Sequence, residues 1–244
     1  MTGRTYVRRA QRLGASYRFA VALLWPLMRT IVAWDVHGTD RLTEAEGGII
    51  VAPNHLSWFE PPVVAFTLWN ADRPPRFLGK DAVFAIPVIG RILRNAGQIP
   101  VYRDTPEVAV AVREALSALE RGECVVVYPE GTITRDPDLW PMAAKTGAVR
   151  LALLSGAPLY PMAQWGPQEV MRPYSKELRL LPRKTMHVRV GDPIDLSDLA
   201  DRPIDAETLG IGGELLMNAI TALLADIRHE TPPSTRMVFR RKPE

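Results

Sequence analysis

A histidine and a carboxylate stand five residues apart in the stretch "NHLSWFEPP", residues 54–62, which directly follows the apolar run 48–53. The apolar run predicts a buried strand, and the two prolines favour the start of a helix. His55 and Glu60 would then share one strand-to-helix loop, in which the carboxylate can turn back towards the imidazole. A histidine held by a carboxylate can act as a general base, because the carboxylate selects the tautomer and stabilises the imidazolium.

The same residues also fit a helix cap, with Ser57 as N-cap and Glu60 three positions later. Pro61 argues against that register, because it would be the fourth helical residue and has no N–H to bond to the Ser57 carbonyl. Proline also disfavours the α conformation in the residue before it. We therefore expect Glu60 at the cap and Pro61 as the first helical residue. A hydrogen-bonded histidine with a purely structural role is the alternative to a base.

The sequence lacks the patterns that are typical of two other kinds of active site. No Gly-x-Ser-x-Gly turn is present to carry a nucleophilic serine, and neither His-Glu-x-x-His nor paired cysteines suggest a metal site. We therefore expect no metal, and a base that activates a hydroxyl group of a bound substrate.

Four blocks, in order, resemble the glycerolipid acyltransferase family, which includes the 1-acyl-glycerol-3-phosphate acyltransferases. "NHLSWFE" is similar to the family's His-x4-Asp block. The other three blocks are "KDAVFAIPVIG" with "GQIPVYR", then "YPEGTITR", then "APLYPM". Together they cover roughly residues 48–165, and their order makes the resemblance specific although each block alone is weak.

The resemblance implies a role for each matching residue. His55 and Glu60 are the implied catalytic pair, with Asn54 and Ser57 as supporting residues of the motif. The residues implied in binding the acceptor and its phosphate are Lys80, Arg103, Glu130, Gly131, Thr132 and Arg135. Arginine binds phosphate through two parallel hydrogen bonds and lysine as a point charge. Without the resemblance, Lys80 and Arg103 would fit a solvated surface equally well.

The chain departs from the family pattern at two positions. Glu60 stands where the family usually has Asp, so its side chain is one methylene longer and must fold back further to reach His55. Ile133 follows Thr132 where the family commonly has Arg, which leaves Arg135 as the nearby cation. The second departure bears on the identity of the acceptor.

The resemblance implies transfer of a fatty acyl group from acyl-CoA to the free hydroxyl of a lysophospholipid, first of all 1-acylglycerol-3-phosphate, to give phosphatidic acid. Direct attack on the thioester needs a base and donors for the oxyanion, but no cofactor, because coenzyme A is already a good leaving group. We expect backbone N–H groups near the motif to bind the oxyanion. The alternatives are acyl carrier protein as donor, another lipid-linked alcohol such as a glycolipid or a different lysophospholipid as acceptor, and a non-catalytic peripheral lipid-binding protein.

Short β-rich runs alternate with helical patterns, which predicts an α/β fold with a mainly parallel mixed sheet flanked by helices. Strands are predicted near residues 34–38, 48–53, 76–79, 97–102, 124–129, 158–162 and 186–190. Helices are predicted at Pro61–Leu68, Pro87–Asn95, Pro106–Glu120, Lys145–Leu154 and Ala206–His229. We predict an acyltransferase domain over residues 35–230 and a flexible basic tail over 231–244.

The charge distribution favours an anionic membrane surface as partner. Residues 1–34 contain six arginines and no acid, whereas the body of the chain is acidic, which speaks against nucleic acid. Residues 6–34 also carry apolar residues at helical spacing, with Trp25 and Trp34 suited to the interface, and we expect Pro26 to kink or divide this helix. Its apolar stretch of ten residues, Phe19–Met28, is too short to span a bilayer.

We therefore predict that residues 1–34 form an amphipathic membrane-association segment of a peripheral or monotopic protein on the cytoplasmic face of the cell membrane. Packing of this helix on the protein's own core or on a second subunit is the alternative. The chain's single cysteine, Cys124, lies in an apolar run, and a reducing compartment agrees with the lack of a second cysteine.

Overall fold

The computed structural model describes residues 15–102 and 108–239. Its seven strands are β1 (Val32–His37), β2 (Ile49–Pro53), β3 (Pro75–Lys80), β4 (Ile99–Val101), β5 (Cys124–Val126), β6 (Leu159–Trp165) and β7 (Lys184–Val190). Its helices are α1 (Ala15–Ile31), α2 (Asp40–Glu44), α3 (Glu60–Asn70), α4 (Asp81–Phe84), α5 (Ile89–Asn95), α6 (Val108–Glu120), α7 (Gly147–Ser155), α8 (Pro167–Val170), α9 (Ser197–Ala200) and α10 (Ala206–Arg228).

The strands form one mixed sheet in the order β1-β7-β6-β2-β5-β3-β4. Five of them, β2 to β6, run parallel, whereas β7 lies antiparallel to β6 and carries β1 alongside in parallel. The predicted fold class is confirmed, and each of the seven predicted strands corresponds to a strand of this sheet. Because β2 and β5 are neighbours at the centre, the loops that follow them lie side by side at the carboxyl edge.

The central strands are apolar on both faces because the sheet lies between two layers of helices. Ile50 and Ala52 of β2 join a buried cluster with residues of α6, α7 and α10. Ile49 and Val51 of the same strand join the cluster on the opposite face, with residues of α1, α2 and α3. Successive side chains of a strand point to opposite faces, so an uninterrupted apolar run is what such a buried strand requires.

Cys124 opens β5 in the second of these clusters and is fully buried. Burial raises the pKa of its thiol from 9.0 to about 12. The thiolate, which is the reactive form of cysteine, is therefore suppressed at neutral pH.

Several helices differ from the predictions, including α7, which spans Gly147–Ser155 where Lys145–Leu154 was predicted. Helix α1 continues through Pro26, so the proline does not divide it. Helix α3 begins at Glu60 with Phe59 as its N-cap, one residue earlier than predicted. The helix predicted at Pro87–Asn95 begins only at Ile89, and a short helix that was not predicted, α4, precedes it.

Helix α1 has two apolar faces. On one face, Trp25 stacks on Phe66 of α3 and Tyr17 stacks on Trp69, with ring centroids 6.1 and 5.9 Å apart. Trp34 of β1 stacks on the same Phe66 at 4.0 Å. The two tryptophans predicted to lie in a membrane interface thus contact the protein's own domain. The other face exposes Phe19, Leu23, Leu24 and Leu27, with relative exposures of 64%, 59%, 38% and 46%.

Within the described ranges, α10 is the one helix long and apolar enough to cross a membrane, and half of its most apolar window is buried. It packs on β6 and β7, and Asp205 caps its first turn by accepting a hydrogen bond from the Thr208 N–H at 3.0 Å. These contacts are those of a core helix, as its apolar pattern indicates.

The chain after α10 lies against the domain as far as it is described. Arg236 binds the carboxylate of Glu214 and the side-chain amide of Asn218, both on α10. The carbonyl of Met237 accepts a hydrogen bond from the Ala143 N–H at 2.9 Å. Residues 236 and 237 of the predicted tail 231–244 thus contact the domain, and the flexibility of the tail stays a prediction.

Candidate active site

The predicted catalytic residues lie at the carboxyl edge of the central parallel strands. His55 follows β2, and Glu130 lies in the loop after β5, the neighbouring strand. Lys80 ends β3 on the other side of β5. Parallel strands end at one edge of a sheet, so the blocks that are far apart in the sequence meet there.

His55 and Glu60 form the predicted pair. The Nδ1 atom of His55 lies 2.6 Å from Oε2 of Glu60. The other oxygen, Oε1, accepts hydrogen bonds from the backbone N–H groups of Leu56 and Ser57, the latter at 3.0 Å. The longer side chain of glutamate thus folds back over its own loop and still reaches the imidazole.

Three donors converge on Glu60, and this arrangement favours the carboxylate over the carboxylic acid. Glu60 is completely buried. Burial raises its pKa, and the charge and hydrogen bond of His55 together with the two backbone N–H groups oppose that shift. Since Glu60 accepts at Nδ1, that nitrogen carries the proton, and Nε2 is left to accept one.

A second buried carboxylate, Glu130, holds the histidine from the other side. Its Oε1 accepts from the backbone N–H of His55 at 2.8 Å, and its Oε2 accepts from that of Met142 at 3.0 Å. Both oxygens are therefore bonded to the backbone, so Glu130 positions the loop that carries His55. Burial raises the pKa of Glu130 to about 8, although both N–H groups act in the opposite direction. The acceptor-binding role predicted for it stays a prediction.

Tyr128 is a residue of the site that the sequence did not single out. Its ring stacks on the imidazole of His55, with centroids 4.3 Å apart and the planes at 28°. Burial and the neighbouring charge of Glu60 raise the pKa of its phenol well above 10.0. The phenol therefore stays neutral and fixes the plane of the imidazole by contact. Its position directly before the Pro-Glu-Gly-Thr block, at the end of a strand, was an available signal.

Two further hydrogen bonds tie neighbouring loops to the histidine loop, and a third joins those two loops to each other. The Thr134 N–H donates to the carbonyl of His55 at 2.7 Å. The hydroxyl of Ser57 donates to the carbonyl of Met171 at 2.6 Å, and the phenol of Tyr174 donates to that of Ile133 at 2.5 Å. The segments 54–60, 131–143 and 166–175 therefore meet around His55, and no motif in the sequence indicates that the third belongs to the site.

Asn54 joins the ends of β2 and β6. Its side-chain oxygen accepts from the Gln164 N–H at 2.8 Å, and its side-chain nitrogen donates to the Gln164 carbonyl at 3.1 Å. The side chain thus continues the pairing of the two strands past the last residue of β2. Asn54 and Ser57 support the motif, as predicted, through contacts with the backbone of neighbouring segments.

Of the residues predicted to bind the acceptor, the structure describes all but Arg103. Lys80 and Arg135 are both exposed, and Thr132 is partly so. Gly131 has a φ of 70°, a left-handed conformation that glycine adopts without strain. Arg103 lies outside the described residues, so its assignment stays a prediction.

The expectation that the histidine loop supplies oxyanion donors needs a correction. The N–H groups of His55, Leu56 and Ser57 are all bound to the two buried carboxylates. They fix the loop and are not free for a substrate oxygen. Across residues 15–102 and 108–239, no group of three or more histidine, cysteine or acidic side chains could hold a metal ion.

A model of the acyltransferase family matches residues 33–165, which is more than half of the chain. The chain belongs to the acyltransferase family. The matched residues include the loops after β2 and β5, which carry His55, Glu60 and Glu130. The geometry described above therefore lies within the region that matches the family.

Relatives similar to this chain include 1-acyl-sn-glycerol-3-phosphate acyltransferases. One from Brassica napus, the chloroplastic BAT2, is 27% identical over 178 residues, covering 70% of this chain and 49% of its own. One from Bacillus subtilis is 26% identical over 187 residues, covering 77% and 86%, and one from Limnanthes alba is 30% identical over 203 residues, covering 75% and 68%. The chain thus spans about half of the Brassica protein but most of the bacterial one.

The fold is that of a solved relative. The crystal structure of PlsC, the 1-acyl-sn-glycerophosphate acyltransferase of Thermotoga maritima, aligns with a TM-score of 0.62 over 94% of this chain and 83% of that one. At 17% sequence identity, this likeness shows a shared fold.

We predict that the contribution of Glu130 to stability falls as the pH rises. Its folded pKa of about 8 lies above the ordinary value of 4.5, so the folded state binds the proton more tightly than the unfolded state. The stabilisation is complete below pH 4.5 and is lost as the pH rises through 8. Urea unfolding of the wild type and of Glu130→Gln, which cannot titrate, should give a stability difference that shifts in favour of the variant between these limits. A difference that is constant with pH would contradict the raised pKa.

Proposed function

We propose that this acyltransferase moves a fatty acyl group from acyl-CoA to the free hydroxyl of a lysophospholipid, with 1-acylglycerol-3-phosphate as acceptor and phosphatidic acid as product. The observation that carries the proposal is the hydrogen bond of 2.6 Å between His55 and Glu60 at the carboxyl edge of the sheet. The family match and relatives named 1-acyl-sn-glycerol-3-phosphate acyltransferase support the reaction class and the acceptor.

In the proposed reaction, Nε2 of His55 removes the proton of the acceptor hydroxyl while its oxygen attacks the thioester carbonyl carbon. The new C–O bond gives a tetrahedral intermediate, and the C–S bond then breaks. The proton held by His55 passes to the departing thiolate, so the histidine returns to its neutral form. Glu60 stabilises the imidazolium between these two steps, and the stacked ring of Tyr128 holds the imidazole of His55 in its orientation.

Lys80, Arg103 and Arg135 are proposed as the cations for the phosphate of the acceptor, and Thr132 and Gly131 as the turn that receives it. Lys80 and Arg135 are exposed at the same edge of the sheet as His55. No cofactor takes part in this scheme, since the thioester itself is activated.

An acceptor panel tests the proposed function. The purified protein is given palmitoyl-CoA with lysophosphatidic acid, lysophosphatidylinositol, an acylated glycolipid or monoacylglycerol, and thiol release is followed against a blank without acceptor. We expect release with lysophosphatidic acid to exceed that with the other acceptors. A different preferred acceptor would replace the one proposed, and absence of any acceptor-dependent release would favour a non-catalytic lipid-binding protein. The same assay with the palmitoyl thioester of acyl carrier protein in place of palmitoyl-CoA tests which acyl donor the protein uses.

The His55 and Glu60 pair is tested by conservative variants. We expect His55→Ala to lower kcat by at least about a hundredfold, the usual minimum for loss of a general base. Glu60→Gln should cost much more than Glu60→Asp, because the amide would turn an N–H group towards the N–H groups of Leu56 and Ser57 and cannot stabilise an imidazolium. Circular dichroism and thermal unfolding identify variants that remain folded. Near wild-type turnover of folded Glu60→Gln would leave Glu60 with a structural role only.

Membrane attachment from the cytoplasmic face is proposed through the exposed face of α1. Phe19, Leu23 and Leu27 recur every four residues along it, and Arg18 and Arg29 are exposed near its ends. Apolar residues beside basic ones suit an anionic lipid surface. Helix α5, which packs beside α1, follows a segment in which Val83, Ile86 and Val88 are also exposed. Peripheral attachment agrees with a lipid acceptor.

We predict that the triple variant Phe19→Gln, Leu23→Gln, Leu27→Gln loses most of its co-sedimentation with anionic vesicles. Glutamine keeps the helix but removes the apolar contact. The double variant Ile211→Gln, Leu215→Gln, on the exposed part of α10, is the matched control and should sediment like the wild type. Salt should release the wild type only partly, because apolar burial is not screened. Equal binding to neutral and anionic vesicles, unchanged in the triple variant, would exclude this face of α1 as the attachment site.

A further inference from the structure

The guanidinium of Arg135 contacts two aromatic rings. Its central carbon is 4.2 Å from the ring centroid of Tyr174 and 5.1 Å from that of Phe239. Tyr174 belongs to the loop after α8, and Phe239 to the chain after α10. Two segments distant in sequence therefore converge on one arginine in the loop after β5.

None of the hydrogen-bond donors on the Arg135 guanidinium has a partner among the described residues. Within the described ranges, Arg135 bonds only through its backbone N–H, to the sulfur of Met142, and its guanidinium takes part in no hydrogen bond or ion pair. Aromatic rings contact the faces of a guanidinium, whereas its five N–H groups lie in the plane at its edges. The contacts with the two rings involve no hydrogen bond, so the guanidinium donors have no partner among the described residues.

Arg228 shows the contrast. It also contacts two rings, those of Trp140 and Trp165, at 4.1 and 4.5 Å. Its donors, however, bind the carbonyl of Asp138 and the carboxylate of Glu230, and its side chain is only 8% exposed. Arg228 therefore serves the fold, whereas Arg135 is exposed and has no such partners.

The loop that carries the arginine is hydrogen-bonded to the loop that carries the base. Arg135 directly follows Thr134, whose N–H donates to the His55 carbonyl at 2.7 Å. Tyr174 holds the same loop through its hydrogen bond to Ile133, and it does so at a φ of 59°, a conformation that a bulky residue adopts only where contacts impose it. Ile133 itself is buried, so the position that commonly carries arginine in the family cannot bind an anion here.

We propose that Tyr174 and Phe239 are positioning residues that present Arg135 to the phosphate of the acceptor. The proposal rests on the proposed function. A planar guanidinium binds phosphate through two parallel hydrogen bonds, and holding it in advance reduces the entropy lost on binding. The chain after α10, fixed by Arg236 and the Met237 carbonyl, thereby completes an acceptor site built mainly from the loops of the sheet.

The phosphate could belong to the acceptor or to the coenzyme A part of the donor, and kinetics separate the two. Phe239→Leu removes the aromatic face but keeps apolar volume, and Phe239→Tyr keeps the face. For Phe239→Leu we expect the KM of lysophosphatidic acid to rise about two- to fivefold, the range of an exposed cation–π contact, with kcat and the KM of acyl-CoA unchanged. Phe239→Tyr should retain the wild-type KM. A rise confined to acyl-CoA would assign Arg135 to the donor and overturn the proposal.

A double-mutant cycle distinguishes positioning from a general loss of structure. In an Arg135→Ala background, Phe239→Leu should no longer change the KM of lysophosphatidic acid. Val238→Ala, at the exposed neighbouring position, is the matched control and should behave like the wild type. An equal effect of Phe239→Leu with and without Arg135 would overturn the proposal while leaving the proposed function intact. Failure of the wild type to use lysophosphatidic acid would instead overturn the proposed function, and this inference with it.

Discussion

Two buried carboxylates hold the loop that carries His55, and the rest of the site depends on them. Glu60 binds the imidazole and two backbone N–H groups, and Glu130 binds the His55 N–H and, through Met142, the loop after β5. Burying a carboxylate is costly unless hydrogen bonds compensate it. Here each oxygen has at least one N–H partner. The hydrogen bonds that offset the free-energy cost of burial also make the loop rigid, at the position where a base must be held in one orientation.

This arrangement also explains how a glutamate can stand where the family usually has aspartate. The additional methylene lets the carboxylate reach back over two peptide groups, so the same side chain orients the imidazole and closes the loop. Pro61 removes an N–H group from the first turn of α3, and proline is tolerated there because such N–H groups have no partner within the helix. The loop and the helix start are therefore one unit, because the first residue of α3, Glu60, is also the carboxylate of the catalytic pair.

The sheet could be predicted from the sequence because its strands are short apolar or β-rich runs, a pattern that is visible locally. Apolar runs such as 48–53 are buried on both faces, and the motifs directly after them lie at one edge because the strands are parallel. The contacts that sequence reasoning missed arise between distant segments. Tyr174 and Phe239 reach Arg135 from loops with no motif of their own, and Trp25 and Trp34 stack on Phe66 of α3. Amphipathic spacing shows that a helix has an apolar face, but it does not tell a protein surface from a lipid surface.

The position of Cys124 affects how the protein tolerates the chemistry proposed for it. Each turnover would liberate a free thiol, and thiols exchange with disulfides or form mixed disulfides with accessible cysteines after oxidation. The chain's one sulfhydryl is fully buried in an apolar cluster at the start of β5, where its pKa of about 12 keeps it protonated. The protein can therefore accumulate its own leaving group without becoming linked to it, and thiol-reactive dyes report the released product without a background from the polypeptide.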